Sequence, residues 1–441
     1  MFKPDTAGLR FGPFWFTPGL TRLNVATAIF ASFTTIAMVV YMSLIQPYVL
    51  NEVVQIPQHR QGTLTGYLTL LQEGIVVLLV GLMGAWSDRA GRRFVFVVGL
   101  SLLGVGYLVF PLATAEWQLY AYRIVFAVGV ATAPVMVSAT VQDLPQEISR
   151  GKWVGINNFF QGLGILLIAT MLLTRAPKFF LDLGADPVAA GRYAFWSATA
   201  ICLVVAVVLR AGLPHSTGAY DPGSQVHRQF TAALRAGLSN PRLALAFGSA
   251  IIGRGDLVVV GSFFTLWVTQ YALEQGMSTA EGVAKAGMLF GIIQVSALLW
   301  AFFMGLIADR INRVTSLIVA LGFATVGYSL MGQVEDPFGP ALIPIAILLG
   351  IGEVSVIVGG GALLGQEARV ELRGAIIGLF NLLGGIGIMA AATAGGIIFD
   401  SIARNAPFTM MGIMNGLLLL CAVLVRVRAG TPSGTRATEP A

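Results

Sequence analysis

Long apolar runs separated by short polar turns make up most of this chain. Twelve runs, at 23–48, 62–86, 93–113, 117–142, 151–174, 190–211, 242–271, 283–307, 314–332, 339–365, 374–399 and 406–425, reach the roughly 20 residues that an α-helix needs to cross a hydrocarbon layer about 30 Å thick. Most connections are short, so consecutive helices are expected to run antiparallel. The first run is too long for a signal-peptide core and lacks a convincing cleavage site, so it reads as a retained span.

One interruption stands apart. Leu213–Asn240 is the longest and most polar internal connection, with Pro214, Gly218, Pro222 and Gly223 ahead of the amphipathic stretch FTAALRAGL. It divides six helices from six. The expected organisation is an N-terminal six-helix bundle at 1–212, a linker at 213–241, a C-terminal six-helix bundle at 242–428 and a disordered tail at 429–441. The opening stretch FGPFWFTPGL reads as an interfacial aromatic anchor.

Composition sharpens the class. Hydrophobic residues make up 56% of the chain and charged residues 11%, against roughly 25% charged in a soluble domain. Glycine is abundant at 53 residues, as expected where helices pack closely in a bilayer. Cys202 and Cys421 both lie in apolar runs and read as packing residues, not as a disulfide or metal site. Assigning alternate loops to one side puts most Lys and Arg with the termini, including Arg89, Arg92, Arg93, Arg150, Lys152, Arg310 and Arg313. The opposite side holds Arg60, Arg175, Lys178, Arg192 and Arg404. The positive-inside rule then places both termini in the cytoplasm, and a prokaryotic inner membrane is the expected location. The same bias explains the +6 net charge without nucleic acid as a partner.

The two halves repeat each other. GAWSDRAGRR at Gly84–Arg93 and GLIADRINRV at Gly305–Val314 superpose Asp88 on Asp309, Arg89 on Arg310 and Arg92 on Arg313. RGKWVGINNFFQGLGI from Arg150 matches RGAIIGLFNLLGGIGI from Arg373, pairing Gly151 with Gly374, Gly155 with Gly378, Asn158 with Asn381 and Gly162 with Gly385. The two offsets are nearly equal, which marks a duplication.

Twelve helices, a 6+6 split and the Gly84, Asp88, Arg89, Gly91, Arg92, Arg93 loop between the second and third helices resemble the major facilitator superfamily over nearly the whole chain. The second copy keeps Gly305, Asp309, Arg310 and Arg313, with Asn312 where the first has Gly91. The resemblance implies an all-α membrane protein with twelve transmembrane helices in two pseudo-symmetric six-helix bundles. It also implies a secondary transporter that opens a central cavity to each side in turn. In that family the Asp88 loop is a cytoplasmic gate that latches the outward-facing state, and the glycines of the fifth and eleventh helices line the boundary between halves. Topology-setting arginines and static glycine packing are the plainer readings of the same residues.

Ionisable groups at bilayer depth carry the candidate chemistry. Glu73, Arg123, Arg254, Asp256 and Glu353 each cost about 2.5–3.5 kcal/mol at a helix centre, so they are expected to face a wet cavity or one another. Arg254 and Asp256 are two residues apart and point in different directions on a regular helix. Glu73 falls on Gln294 in the repeat, which places a polar side chain at an equivalent depth in each half. Asn158 and Asn381 can hydrogen-bond a polar solute or a neighbouring helix. Arg123 resembles the arginine of the family's fourth-helix motif, linked to proton coupling, but Phe126 and Ala127 depart from that motif. The fifth helix also lacks the proline of drug–proton antiporters, and both departures weaken a drug-efflux assignment.

No catalytic constellation is present. His59, His215 and His227 are scattered in loops, and no nucleotide-binding P-loop occurs. Neither an enzyme, a cofactor nor a metal is expected. The expected partners are a small-molecule substrate, protons and the lipid bilayer, for a chain acting as a monomer. The expected function is proton-coupled transport of a small organic solute, with export ahead of uptake by symport. A non-transporting assembly or sensor protein on the same scaffold is the reading from another class.

Overall fold

The computed structural model describes residues 6–214, 226–369 and 372–428. Residues 215–225 of the polar linker, with His215, Pro222 and Gly223, lie outside the described residues, as does the tail expected to be disordered. Among the described residues, twelve helices are long and apolar enough to cross a membrane. They are α1 (Arg22–Val53), α2 (Gln58–Ala90), α3 (Arg92–Leu112), α4 (Glu116–Asp143), α5 (Glu147–Asp182), α6 (Pro187–Gly212), α7 (Pro241–Glu274), α8 (Thr279–Arg310), α9 (Arg313–Met331), α10 (Leu342–Glu367), α11 (Arg373–Ser401) and α12 (Ala406–Arg428). A short amphipathic helix, Val226–Ser239, precedes α7.

Several helices run past the apolar runs that announce them, because polar caps and not hydropathy set their ends. Thr21 and Asn24 form a capping box at α1, and Ser278 and Glu281 form one at α8. Asp186 caps α6 just ahead of Pro187, and Asn240 caps α7 just ahead of Pro241. Wider π turns interrupt α1 at Val49–Val53, α5 at Ile165–Leu172 and α7 at Val259–Phe263.

Helices α1–α6 pack into one bundle and α7–α12 into a second. Two seams join the bundles, α2 against α11 and α5 against α8. The end of the molecule at which α1 starts and α12 finishes is called the terminal end below, and the opposite end the far end.

The aromatic N-terminal stretch packs on protein. Strands β1 (Arg10–Phe11) and β2 (Phe14–Trp15) form a small antiparallel hairpin. Phe16 behind it is fully buried, its ring 4.8 Å from that of Trp153 on α5 and perpendicular to it. The amide of Thr17 donates to the Leu144 carbonyl at 3.0 Å, and that of Trp15 to Ser149 Oγ at 2.8 Å. The stretch is a strap over the α4–α5 turn.

Candidate functional site

The two bundles are bonded at the far end. A Cβ added to Gly66 of α2 would lie 2.4 Å from the Ala392 carbonyl oxygen of α11, and one on Gly396 would lie 2.5 Å from that of Gly62. Only glycine permits so close a backbone approach. Asp400, at the end of α11, accepts from the amides of Gly62 at 2.9 Å and Thr63 at 2.6 Å, near the N-terminus of α2. A helix N-terminus carries partial positive charge, so a carboxylate is well placed there. Gln270 Nε2 of α7 donates to the Gln58 carbonyl at 3.2 Å and to Gln61 Oε1 at 3.0 Å. Lys178 of α5 pairs with Glu281 of α8 at 3.3 Å, and Thr279 donates to the Glu52 carboxylate.

Toward the terminal end the bundles part. At mid-depth Gly162 still approaches Leu298 of α8 (2.9 Å from an added Cβ) and Gly385 approaches Val77 of α2 (2.8 Å). Further along the same stripes, added Cβ atoms on Gly151, Gly155, Gly374 and Gly378 would meet nothing within 4 Å, and the same holds for Gly81, Gly84 and Gly305. Asn158 and Asn381, one turn before Gly162 and Gly385, are exposed on those stripes. A cleft thus opens between the bundles at the terminal end. Its walls repeat each other in the two halves, as the duplication anticipates.

The eight intramembrane candidates fall into two groups. Glu73, Arg254, Gln294, Asn158 and Asn381 lie where the bundles part, partly or fully accessible. Arg254 is seated against Gly384 of α11, where an added Cβ would come within 2.8 Å of its Cγ. Glu73 accepts from Gln72 Nε2 at 3.2 Å and lies within electrostatic range of both Arg254 and Arg123 without ion-pair contact. It is therefore a carboxylate held in the field of two guanidinium groups, one from each bundle.

The other three are enclosed by their own bundles. Arg123 is 2% exposed, its guanidinium 5.9 Å and 5.5 Å from the ring centroids of Phe110 and Phe126. Aromatic faces attract a cation in this geometry. Asp256 and Glu353 are buried in the C-terminal bundle, with Asn415 Nδ2 donating to both Asp256 oxygens at 3.0 and 3.2 Å. Helix α7 is regular through Val258, so Arg254 and Asp256 do point apart, and the π turn follows one turn later.

In the gate loop, Gly91 takes φ +92°, a conformation that ends α2 and that favours glycine. Asp88 pairs with Arg92 at 3.4 Å, and Arg92 also pairs with Asp143 at the end of α4. Arg93 Nη1 donates to the Leu213 carbonyl at 3.2 Å. In the second copy Asp309 pairs with Arg313 at 3.1 Å and Asn312 caps α9. These bonds of Asp88 and Asp309 stay inside their own bundles, while Gly374 at the start of α11 stands in open space.

Sequence reading missed the far-end bonds of Asp400, Gln61 and Gln270. The signal available was a lone acid closing an otherwise apolar run. Its partners lie more than 300 positions away on another helix, beyond any periodicity in the chain.

Comparison with known proteins places this arrangement. The sequence profile of the Major Facilitator Superfamily matches residues 23–335 and 296–441. The chain is 25% identical to magnetosome protein MamH of Paramagnetospirillum magneticum, over 88% of this chain and 89% of that protein. It is 26% identical to magnetosome protein MamZ of Magnetospirillum gryphiswaldense over 95% of its own length, and it spans 64% of MamZ. With the class E tetracycline resistance protein of Escherichia coli it shares 26% identity over 74% of this chain and 77% of the other. The crystal structure of the nucleoside transporter NupG superposes with a TM-score of 0.72 at 12% identity, covering 92% of this chain and 99% of that one. Twelve spans in two bundles, a cleft between them and a family profile that covers the chain make this protein a member of the Major Facilitator Superfamily, a family of membrane transporters and not of enzymes.

Proposed function

We propose that this protein is a secondary active transporter that exports a small organic solute by alternating access, driven by protons. The observation that carries the reading is Glu73 at the level where the bundles part, within electrostatic range of Arg254 of the other bundle. Closing the cleft changes the water and the counter-charge around that carboxylate, so it can hold a proton in one state and release it in the other. The bundles, 1–212 and 242–428, rock about the far-end seam, with the basic terminal end in the cytoplasm of a bacterial inner membrane. Asn158, Asn381 and Gln294 supply hydrogen bonds to the solute. An apolar groove of about 740 Å³ between α5, α8 and α10, lined by Leu166, Met171, Val295, Leu299, Phe303 and Ile347, supports an amphipathic solute. The tetracycline resistance relatives support export.

The test uses everted membrane vesicles with tetracycline and a panel of amphipathic cations and nucleosides. Substrate-dependent proton flux is expected with at least one probe, abolished by a protonophore. Glu73→Gln, which holds the group in its neutral form, should leave exchange of solute for solute intact while removing dependence on the proton gradient. Flux with unchanged pH dependence in Glu73→Gln overturns the coupling role. Accumulation on the opposite side would select uptake by symport. The magnetosome relatives favour a second reading, a membrane-assembly component on the same scaffold. No flux of any probe, together with co-purification of a stable partner, would select it.

A further inference from the structure

Two carboxylates inside the C-terminal bundle take no part in the cleft. Asp256 is fully buried and Glu353 is 3% exposed. Helix register sets them opposite each other. Gly253 of α7 meets Val356 of α10, whose Cγ1 lies 3.1 Å from an added Cβ. The helices run antiparallel, so one turn toward the far end leads from Gly253 to Asp256 on α7 and from Val356 to Glu353 on α10. The two acids therefore lie at one level on facing stripes, within electrostatic range of each other.

No Lys, Arg or His among the described residues forms an ion pair with either. Arg254, the nearest base in sequence, lies two residues from Asp256 on another face of the helix and is seated against Gly384 of α11. Polar side chains instead gather from four helices. Asn415 of α12 turns its amide nitrogen to Asp256 and to the Met411 carbonyl, which leaves Asn415 Oδ1 buried without a partner. Glu353 Oε2 is buried and unpartnered, and the Tyr328 hydroxyl of α9 faces Asp256 without meeting hydrogen-bond geometry. Buried polar oxygens without partners are rare, and uncompensated buried charge is more costly still.

We propose that Asp256, Glu353, Tyr328 and Asn415 form a binding site for a small hard cation within the C-terminal bundle. Carboxylate, amide and hydroxyl oxygens suit Na⁺, Mg²⁺ or Ca²⁺ and not the softer metals that need Cys or His. A divalent ion neutralises both acids, and a monovalent ion neutralises one while the other takes a proton. The π turn at Val259–Phe263, just beyond Asp256, loosens the local backbone ladder beside the site, as such turns do at functional positions. The site is separate from Glu73, so its failure would leave the transport reading standing.

The experiment follows thermal unfolding of the full chain in detergent, after chelation, during titration with NaCl, MgCl2 or CaCl2 against choline chloride at matched ionic strength. One cation is expected to raise Tm saturably where choline does not. Equilibrium dialysis with that ion should give one ion per chain. Asp256→Asn and Glu353→Gln should abolish the rise, and Glu73→Gln should retain it. Tyr328→Phe, which removes a single hydroxyl, should weaken binding by about 10- to 100-fold in a protein that still folds. No cation distinguishable from choline, or a saturable rise that survives in the Asp256→Asn/Glu353→Gln double variant, overturns the proposal.

Discussion

Replacing Asp400 with Asn keeps the size of the side chain and removes its charge at the bond that closes the far end. Asp400 accepts from two amides near the N-terminus of α2, at 2.9 and 2.6 Å. A hydrogen bond to a charged group contributes about 1.5–3 kcal/mol, and a carboxylate at a helix N-terminus about 0.3–1 kcal/mol more. Asn retains one acceptor oxygen, so one bond and the charge contribution are lost. The residue is only half-buried, which points to the lower part of that range, about 2 kcal/mol. At 1.4 kcal/mol per factor of ten, the equilibrium between far-end-closed and far-end-open states should shift by roughly 30-fold. Such a shift is well short of the ~5.5 kcal/mol needed to invert a 1:99 population, so both states should be visible together. Spin labels at Gly155 and Gly378, which border open space here, report the width of the terminal-end cleft. In a background lacking Cys202 and Cys421, the long distance should dominate in the parent, and a short-distance population should grow in Asp400→Asn. Identical distance distributions in the parent, Asp400→Asn and Asp400→Ala would refute the latch.

Two further outcomes are expected. Asp88→Asn should leave thermal stability within about 1 kcal/mol, since among the described residues Asp88 pairs with Arg92 at 3.4 Å on a partly exposed surface, while slowing turnover in proteoliposomes. Phe16→Ala should destabilise the fold by about 3–5 kcal/mol, read as earlier thermal unfolding, because the ring is fully buried against Trp153; an unchanged transition would return the strap to the lipid surface.

The reciprocity of the two gates is a consequence of the duplicated fold. Asp88 closes α2 at the terminal end, where the start of α11 stands open. Asp400 closes α11 at the far end and is bonded to the start of α2. Each acid thus ends one helix of the α2–α11 seam near the beginning of the other. Glu73 sits on α2 between the two.

Much of this architecture was legible in the chain itself. Apolar runs long enough for a bilayer located twelve helices, since hydrocarbon tolerates little else. The nearly equal spacing of Asp88 from Asp309 and of Gly155 from Gly378 disclosed two related halves. The two-residue separation of Arg254 and Asp256 was enough to say that they point apart, because the helical period is local. Which side of its bundle each charged group faces was not legible. Glu73, Asp256 and Glu353 look alike in sequence, each an acid in an apolar helix, yet one borders the cleft and two are buried inside the C-terminal bundle. That distinction depends on the rotation of a helix about its axis, which is set by packing against neighbours hundreds of residues away. The same holds for Asp400, whose role exists only because α11 crosses α2. Local periodicity and hydropathy determine what each segment is, and the register between distant segments decides what its charges meet.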